Sequence, residues 1–509
     1  MLAQVNTCGL IGIDGYMVKV EADIGGGLPR FDIVGLPDAA VKESKERVHS
    51  AIKNSGLGFP NKKLVINLAP ASLKKEGSGY DLSIAVSVIL ATNQLRQEWV
   101  EKCIFIGELS LDGSIYPSKG VLPMVIAGFK EGYRSFFVPE ENAAEAAAVE
   151  GADVYPIRNL RELYEHLAGI KTIEPFRYDD SVVENNEEFF LDFSEVKGQD
   201  NVKRALEIAA AGNHNVLLIG PPGTGKTMLA QRIPGILPDM SLDEALEVTK
   251  IHSIAGLVNG KKGLIKERPF RSPHHSVSSV ALSGGGTIPR PGELSLAHNG
   301  VLFLDELPEF KREALEAMRQ PLEDGTVTIS RVNATVSYPC NMMLIASMNP
   351  CKCGYFGDSR HRCSCTPAQI DAYRSKISGP LLDRIDIQVE VSSVDYEDLS
   401  SRGMSESSAD IKKRVNRART IQKERYRDLS IHSNSQLSAG QIEKYCCIGT
   451  KENEFLSRMF DKLGLSARAY SRILKVARTI ADIEGEENIG LAHISEAVQY
   501  RSLDRKYFE

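Results

Sequence analysis

Residues 220 to 227 read GPPGTGKT, so glycines at 220, 223 and 225 lead directly into Lys226 and Thr227. Glycines at that spacing let backbone N–H groups crowd around phosphate oxygens without a side-chain clash. The apolar run NVLLIG precedes the loop and MLAQRI opens a helix behind it, the strand–loop–helix context that the motif requires. The helix directs its partial positive end at the same phosphates. Gly220, Pro221, Pro222, Gly223, Thr224, Gly225, Lys226 and Thr227 are therefore the candidate nucleotide-binding loop. Lys226 can reach the β- and γ-phosphates of ATP, and the Thr227 hydroxyl can bind Mg²⁺. VLFLDE supplies the matching half: a buried strand carries Asp305 to where it can hold a water on Mg²⁺. Glu306, beside it, can orient or deprotonate an attacking water. MLIASMNP brings Asn349 to the end of another strand, where its amide can both donate and accept hydrogen bonds.

A second constellation lies just downstream. Cys351-Lys-Cys353 and Cys363-Ser-Cys365 put four thiols in fifteen residues, with His361 nearby. Packing does not explain such a cluster, and a tetrahedral Zn²⁺ site does so economically. The spacing is tighter than the usual CxxC, and iron–sulfur ligation and free thiols are the alternatives. The site would be structural, bracing a loop between catalytic elements. The other five cysteines, Cys8, Cys103, Cys340, Cys446 and Cys447, read as scattered small apolar residues.

The elements that position these residues follow from patterning. At 509 residues the chain exceeds one core. Its 42% hydrophobic and 25% charged content is that of an ordinary globular protein. The net charge of −6 excludes a wholly basic domain, so any nucleic-acid surface is a local patch. No run is long enough to span a membrane, the most apolar being Leu82–Thr92, and the amino terminus lacks the basic start of a secretory signal. A cytoplasmic location is the expectation. Residues 1–172 alternate β-rich runs (YMVKVEADI, KKLVINLAP, CIFIGELS, SFFVP) with helical ones, a modest α/β domain. An acidic, weakly periodic stretch at 173–193 reads as a linker. Over 194–393 the short apolar runs NVLLIG, VLFLD, MMLIASMN and DIQVEV alternate with helical segments, which predicts a doubly wound parallel sheet. Residues 394–509 are almost wholly helical in pattern.

VKGQ at Val196–Gln199, the phosphate loop, LDE, the strand-end asparagine and GPLLDRID at Gly379–Asp386 occur in the order of AAA+ motors. RPFRSPHH, PRPGELSLAHNGVLFLDELPEF and NPCKCGYFGD resemble the YifB/ComM group of Mg-chelatase-like AAA+ ATPases over nearly the whole chain. The resemblance implies a ring, a hexamer, with ATP at subunit interfaces. It implies an arginine-finger role for Arg384, reaching a neighbour's γ-phosphate, and a lid-sensor role for Arg468, with Arg472 one helical turn on as the fallback. The excursion at 259–299 resembles the extra loop in the second helix of chelatase- and MCM-type motors. Glu323–Pro339 alternates like a β-hairpin that in related rings projects into the pore. Arg331 near its tip is the candidate DNA-phosphate contact, and an ordinary sheet-edge hairpin is the alternative.

KKEGSGYDLSIAV and GELSLDGSIYPSKGVLPMVIAG resemble the proteolytic domain of Lon. Gly79 stands where that family carries its serine and Leu122 where it carries its lysine, so the expectation is an inactive scaffold or docking domain like that of RadA-type proteins. A shifted Ser78/Lys119 pair is the alternative. IKKRVNRARTIQKERYR (Ile411–Arg427) holds eight Lys or Arg and one Glu, a stripe suited either to phosphate contacts or to a solvated lid helix. The functional expectation is a DNA-directed ring motor of the branch-migration kind. A chelatase-like ATPase remodelling a protein partner is the alternative.

Overall fold

Short apolar runs bounded by turn residues become strands, and in this chain they build two separate sheets. The computed structural model describes residues 2–177, 191–258, 260, 263–286, 289–331, 334–358, 360–393, 405–429, 431–503 and 507, the side chains of 331 and 334 excepted. Most of the acidic linker and part of the polar run at 392–410 thus lie outside the described residues. Its contacts divide the chain into two units, one of residues 1–186, 242–266 and 330–338, the other of 187–241, 267–329 and 339–509.

The first unit holds β1 (Leu2–Ile11), β2 (Asp14–Gly25), β3 (Arg30–Val34), β4 (Lys63–Ala69), β5 (Cys103–Phe105), β6 (Ser135–Pro139) and β7 (Asp153–Ile157). They form one sheet in the order β3-β4-β2-β1-β5-β6-β7. β1 was not foreseen: its polar Gln4, Asn6 and Thr7 mask an alternation that buries Ala3 and Val5. It is the antiparallel partner of β2 over ten residue pairs, from Leu2↔Asp23 to Ile11↔Asp14. Helices α1 (Ala39–Asn54), α2 (Asp81–Ala91) and α3 (Val121–Lys130) cover the sheet. Asp38 caps α1 by accepting from Val41 N at 2.8 Å. α2 is buried along its whole length, which explains its unbroken apolar composition.

A further helix of this unit, Leu242–Ala255, comes from far along the chain. Its C-terminal end meets the turn before α3. Gly120 N donates to Ser253 O at 3.0 Å. Gly256 has φ +73°, and a Cβ there would sit 2.8 Å from Lys119 Cε, so the lysine stem lies over bare backbone. Nearby, Asn142 brackets Ser118, accepting from its N at 2.9 Å and donating to its carbonyl at 3.0 Å. Asn142 also donates to the buried Glu145 carboxylate at 2.6 Å. Burial raises the Glu145 carboxyl above the usual range.

The second unit contains α4 (Asp200–Gly212), β8 (Val216–Ile219), α5 (Lys226–Ala230), β9 (Phe270–Arg271), β10 (Val301–Leu304), β11 (Met343–Met348), β12 (Ile387–Glu390), α6 (Ser408–Arg425) and α7 (Ala467–Glu484). Its sheet has the order β9-β10-β11-β8-β12, and every neighbouring pair is parallel. β8, β10 and β11 are wholly buried, as strands covered on both faces must be. Each Val, Leu, Ile, Phe or Met side chain among them contributes about 1.5–3 kcal/mol. The doubly wound parallel sheet is therefore present.

By contacts the carboxy-terminal helices belong to the same unit as the parallel sheet. Ile411, Val415, Ile473, Ala477 and Ile480 share one apolar cluster with Val216, Leu218 and Ile345. The helices beyond the polar run bury their apolar faces on the same core as the sheet. The excursion at 259–299 is also more than a loop, since β9, within it, is the edge strand of this sheet. No helix among the described residues is long and apolar enough to cross a membrane.

Candidate nucleotide site and thiol cluster

β8 delivers the chain to Gly220, whose Cβ position lies 2.2 Å from the Val391 carbonyl oxygen, too close for any side chain. Gly223 and Gly225 take φ values of +79° and +87°. A Cβ on Gly223 would meet nothing within 4 Å, so that side of the loop is open and glycine supplies conformation rather than space. Thr224 Oγ1 donates to Pro221 O at 3.0 Å and tightens the turn. Lys226 opens α5, is 9% exposed, and donates to Gly220 O and Pro221 O at 2.8 Å each and to Asn349 Oδ1 at 3.1 Å. Burial lowers its ammonium to about 8, with Asp305 and Glu306 opposing the shift.

Parallel pairing of β10 with β11 sets Leu304 beside Ala346, so the next residues, Asp305 and Ser347, face each other. Ser347 Oγ and Thr227 Oγ1 both donate to the Asp305 carboxylate, the latter at 2.7 Å. Glu306 N donates to Asp305 Oδ1 at 3.0 Å. Glu306 itself has φ 54°, an uncommon conformation for a residue with a side chain. His275 Nδ1 lies 3.8 Å from Glu306 Oε2, and the His274 and His275 ring centroids are 4.0 Å apart. Ser347 and His275 were not singled out in the sequence. The signal for Ser347 is a lone hydroxyl inside an otherwise apolar strand run. A hydroxyl, a carboxylate and a buried cation around an open glycine turn fit a magnesium nucleotide.

The structure brings Lys226, Thr227, Asp305, Glu306 and Asn349 together. It gives the two arginines other partners. Arg384 pairs with Glu323 and donates to Pro380 O at 2.7 Å. Arg468, 63% exposed at its side chain, pairs with Asp383 at 3.2 Å. Arg472, the fallback, is committed to Asp386 and to the Arg384 carbonyl at 3.1 Å. Burial pushes the Asp386 carboxyl up, but Arg472 and His214 outweigh it and hold it well below the usual range. Asn215 N also donates to Asp386 at 3.1 Å. Arg472 thus reads as a structural lock, leaving Arg468 as the accessible arginine.

The four thiols converge. Cys351, Cys353, Cys363 and Cys365 lie with their Sγ atoms all within 4.8 Å of one another, the only such metal-suited group among the described residues. Cys351 and Cys353 are 3.3 Å apart, Cys353 and Cys363 3.5 Å. Desolvation opposes ionisation of Cys353, but backbone N–H groups of Tyr355 and Ser364 outweigh it and lower the thiol to about 5. Four thiol sulfurs at these separations fit a tetrahedral cation such as Zn²⁺. His361 is not part of the group, because its Nδ1 faces Asp358 at 3.1 Å. One contact was invisible in sequence. Gly354, with φ +89°, packs its bare Cα against the phosphate loop: a Cβ there would lie 2.6 Å from Pro222 Cδ.

Elsewhere, Ser78 donates to Glu108 rather than to a lysine, Leu122 is buried, and Gly79 faces Ser118 Oγ, 3.6 Å from its Cβ position. Strands Thr326–Arg331 and Ala334–Pro339 form the expected hairpin. Residues 332–333 and the Arg331 side chain, the site of the candidate DNA contact, lie outside the described residues. In the basic helix, Lys412 pairs with Asp239 at 2.7 Å, Arg414 with Glu207 and Glu406, and Arg425 with Asp482 at 2.6 Å. That pairing favours the lid-helix alternative over a phosphate-binding stripe.

A five-stranded parallel sheet with a lysine-bearing glycine loop at one strand end and an Asp-Glu pair at another defines a P-loop ATPase fold of the AAA+ class. Profiles described as magnesium chelatase, subunit ChlI, match residues 192–399 and, for its C-terminal part, 405–501; a third, subunit ChlI of Mg-chelatase, matches 20–142. The last covers the region that the sequence likens to Lon. Competence protein ComM of Haemophilus influenzae is 43% identical over 510 residues, covering 99% of this chain and 98% of its own. YifB of Salmonella typhimurium is 44% identical over 506 residues, with 99% and 98% covered. Rv2897c of Mycobacterium tuberculosis is 40% identical over 491 residues, 96% of each chain. The chain belongs to the ComM/YifB group of the Mg-chelatase-like AAA+ family.

Proposed function

We propose that the protein is an ATP-hydrolysing ring motor that acts on DNA, with a branch-migration or helicase-type activity. The observation that carries the hydrolytic reading is the Lys226–Asn349 and Thr227–Asp305 pairing beyond the carboxyl ends of β8, β10 and β11, with Glu306 beside it. Lys226 neutralises the β- and γ-phosphates. Thr227 and Asp305 would hold Mg²⁺, which would supply positive charge against the β- and γ-phosphates. Glu306 accepts the proton of the attacking water, and Asn349 orients that water and Lys226. Arg384, from the neighbour in a homo-hexamer, completes the site, and Arg468 acts from the lid. Mixing Glu306→Gln with Arg384→Ala chains tests this: each is inactive alone, and mixed rings regain turnover only if the arginine works in trans. No regain in mixed rings would remove Arg384 from the site.

The DNA reading rests on the sequence resemblance and on full-length similarity to a protein named for competence. ATPase rates with single-stranded DNA, forked DNA and casein across a salt series test it. Stimulation by DNA that fades as salt rises is the expected result. Stimulation by protein alone would favour a chelatase-like remodeller, a reading to which the three chelatase profiles lend weight. The amino-terminal region is a proteolytically inactive docking domain, the protein works in the cytoplasm, and the cysteine cluster holds one structural Zn²⁺ per chain. Elemental analysis of the wild-type protein tests the last point.

A further inference from the structure

The cysteine cluster sits closer to the nucleotide than a remote structural brace would. Cys351 follows Asn349, the Lys226 partner, by two residues, and it is fully buried. The turn after it is closed by Gly354 N donating to Cys351 O at 3.0 Å. That turn sets Gly354 against Pro222, 2.6 Å from Cβ position to Cδ and 3.1 Å to Cγ, so even one methyl group there would displace one segment or the other. The far side of the cluster returns to the same place. After Cys365, Thr366 caps the helix Pro367–Arg374, accepting from Gln369 N at 3.3 Å. At the end of that helix Arg374 Nε donates to Pro350 O at 3.1 Å, and Tyr373 is hydrogen-bonded to the Asn349 backbone. Asn349 and Pro350 are therefore gripped from one side by the turn holding Cys351 and Cys353, and from the other by the helix that follows Cys363 and Cys365.

We propose that this cluster is a metal-dependent positioning device for the nucleotide site: the bound cation clamps the Cys351–Gly354 turn against Pro222 and fixes Asn349 on Lys226, and release of the cation loosens both. Gly354 is a positioning residue in this scheme, since it has no side chain to offer a ligand and acts through its contact with Pro222. The argument rests on reading the cluster as a cation site. Four thiols this close are joined to one another only by weak S–H···S contacts, whereas a tetrahedral divalent ion bonds to all four. Without it the turn keeps the Gly354 N to Cys351 O hydrogen bond and the backbone hydrogen bonds of Tyr355 and Ser364 to the Cys353 sulfur, but nothing of comparable strength ties its two halves together, and the phosphate loop loses a firm surface behind Pro222.

The experiment uses the full-length chain. Nucleotide affinity is read with a fluorescent ADP analogue, and turnover with ATP, for protein loaded with Zn²⁺, stripped by a chelator, and reloaded. A Gly354→Ala chain is measured in parallel, with metal content and circular dichroism recorded for each sample. The expected result is a loss of turnover on stripping of about 10²-fold, the size of effect a misplacement of about 1 Å produces, with weakened nucleotide binding, unchanged helix content and recovery on reloading. Gly354→Ala should keep its zinc and show the same defect. Metal present and removable, with affinity and turnover within twofold of the loaded protein, would overturn the coupling while leaving the zinc site intact. Absence of metal from the wild-type chain would remove the zinc reading itself. Should stripping unfold the protein, Gly354→Ala decides: normal turnover in a zinc-loaded, folded variant overturns the proposal.

Discussion

Lys226 is the residue whose ionisation most directly governs binding. Its ammonium is lowered to about 8 because burial disfavours charge, only partly offset by Asp305 and Glu306. The charged fraction therefore falls as pH rises through about 8, while an exposed lysine would stay charged to about 10.4. Nucleotide affinity should weaken between about pH 7.5 and 9, with binding itself drawing a proton into the site. Isothermal titration in buffers of different ionisation enthalpy would detect that uptake, and a flat profile would mean the ammonium is less buried than described. Glu306→Gln should bind ATP normally yet hydrolyse it ~10²–10⁴-fold more slowly. Near-normal turnover would move the proton-accepting role elsewhere, His275 being an imidazole 3.8 Å away. At this scale the phosphate loop, Asp305, Glu306 and Asn349 were legible because contiguous motifs announce them. Ser347, His275 and Gly354 were not, because their importance lies in contacts across strands and loops that spacing does not encode.

The basic helix α6 shows what composition leaves open about an element. Its seven cationic residues look like a polyanion surface in sequence, yet Arg425 is spent on Asp482, which also takes hydrogen bonds from Arg478 at 3.1 Å and Asn434 at 2.8 Å. Sequence periodicity shows which face is apolar but not which acids lie opposite, some of them far along the chain, such as Glu207 and Asp239. Arg425→Ala should consequently destabilise the second unit by about 1.5–3 kcal/mol, the range for hydrogen bonds to charged groups. DNA affinity should stay within twofold. Thermal melts and fluorescence anisotropy at one fixed salt concentration would separate the two effects. A large loss of DNA binding with an unchanged melting temperature would restore α6 as a phosphate-contacting surface. The strands, in contrast, were legible at once: all four apolar runs of the central region are strands, because a fully covered parallel sheet needs unbroken apolar segments.

For the whole molecule, the helix Leu242–Ala255 is the informative piece. Nothing in its pattern says that it completes the first unit rather than the second, since a helix with one apolar face fits either. A fragment of residues 1–172 should therefore be incomplete. It lacks the carbonyl of Ser253 for Gly120 N and the backbone of Gly256 beneath Lys119. It should melt at a lower temperature than the same fragment with residues 242–266 attached through a flexible linker, and equal melting temperatures would show the helix to be dispensable there. The chain passes between its two units five times, the last after Tyr338. Synthesis consequently reverses the naive order of events. At 5–20 residues per second, the amino-terminal sheet must wait on the ribosome for partners from mid-chain, and a nascent chain halted before residue 242 would hold that unit short of closure.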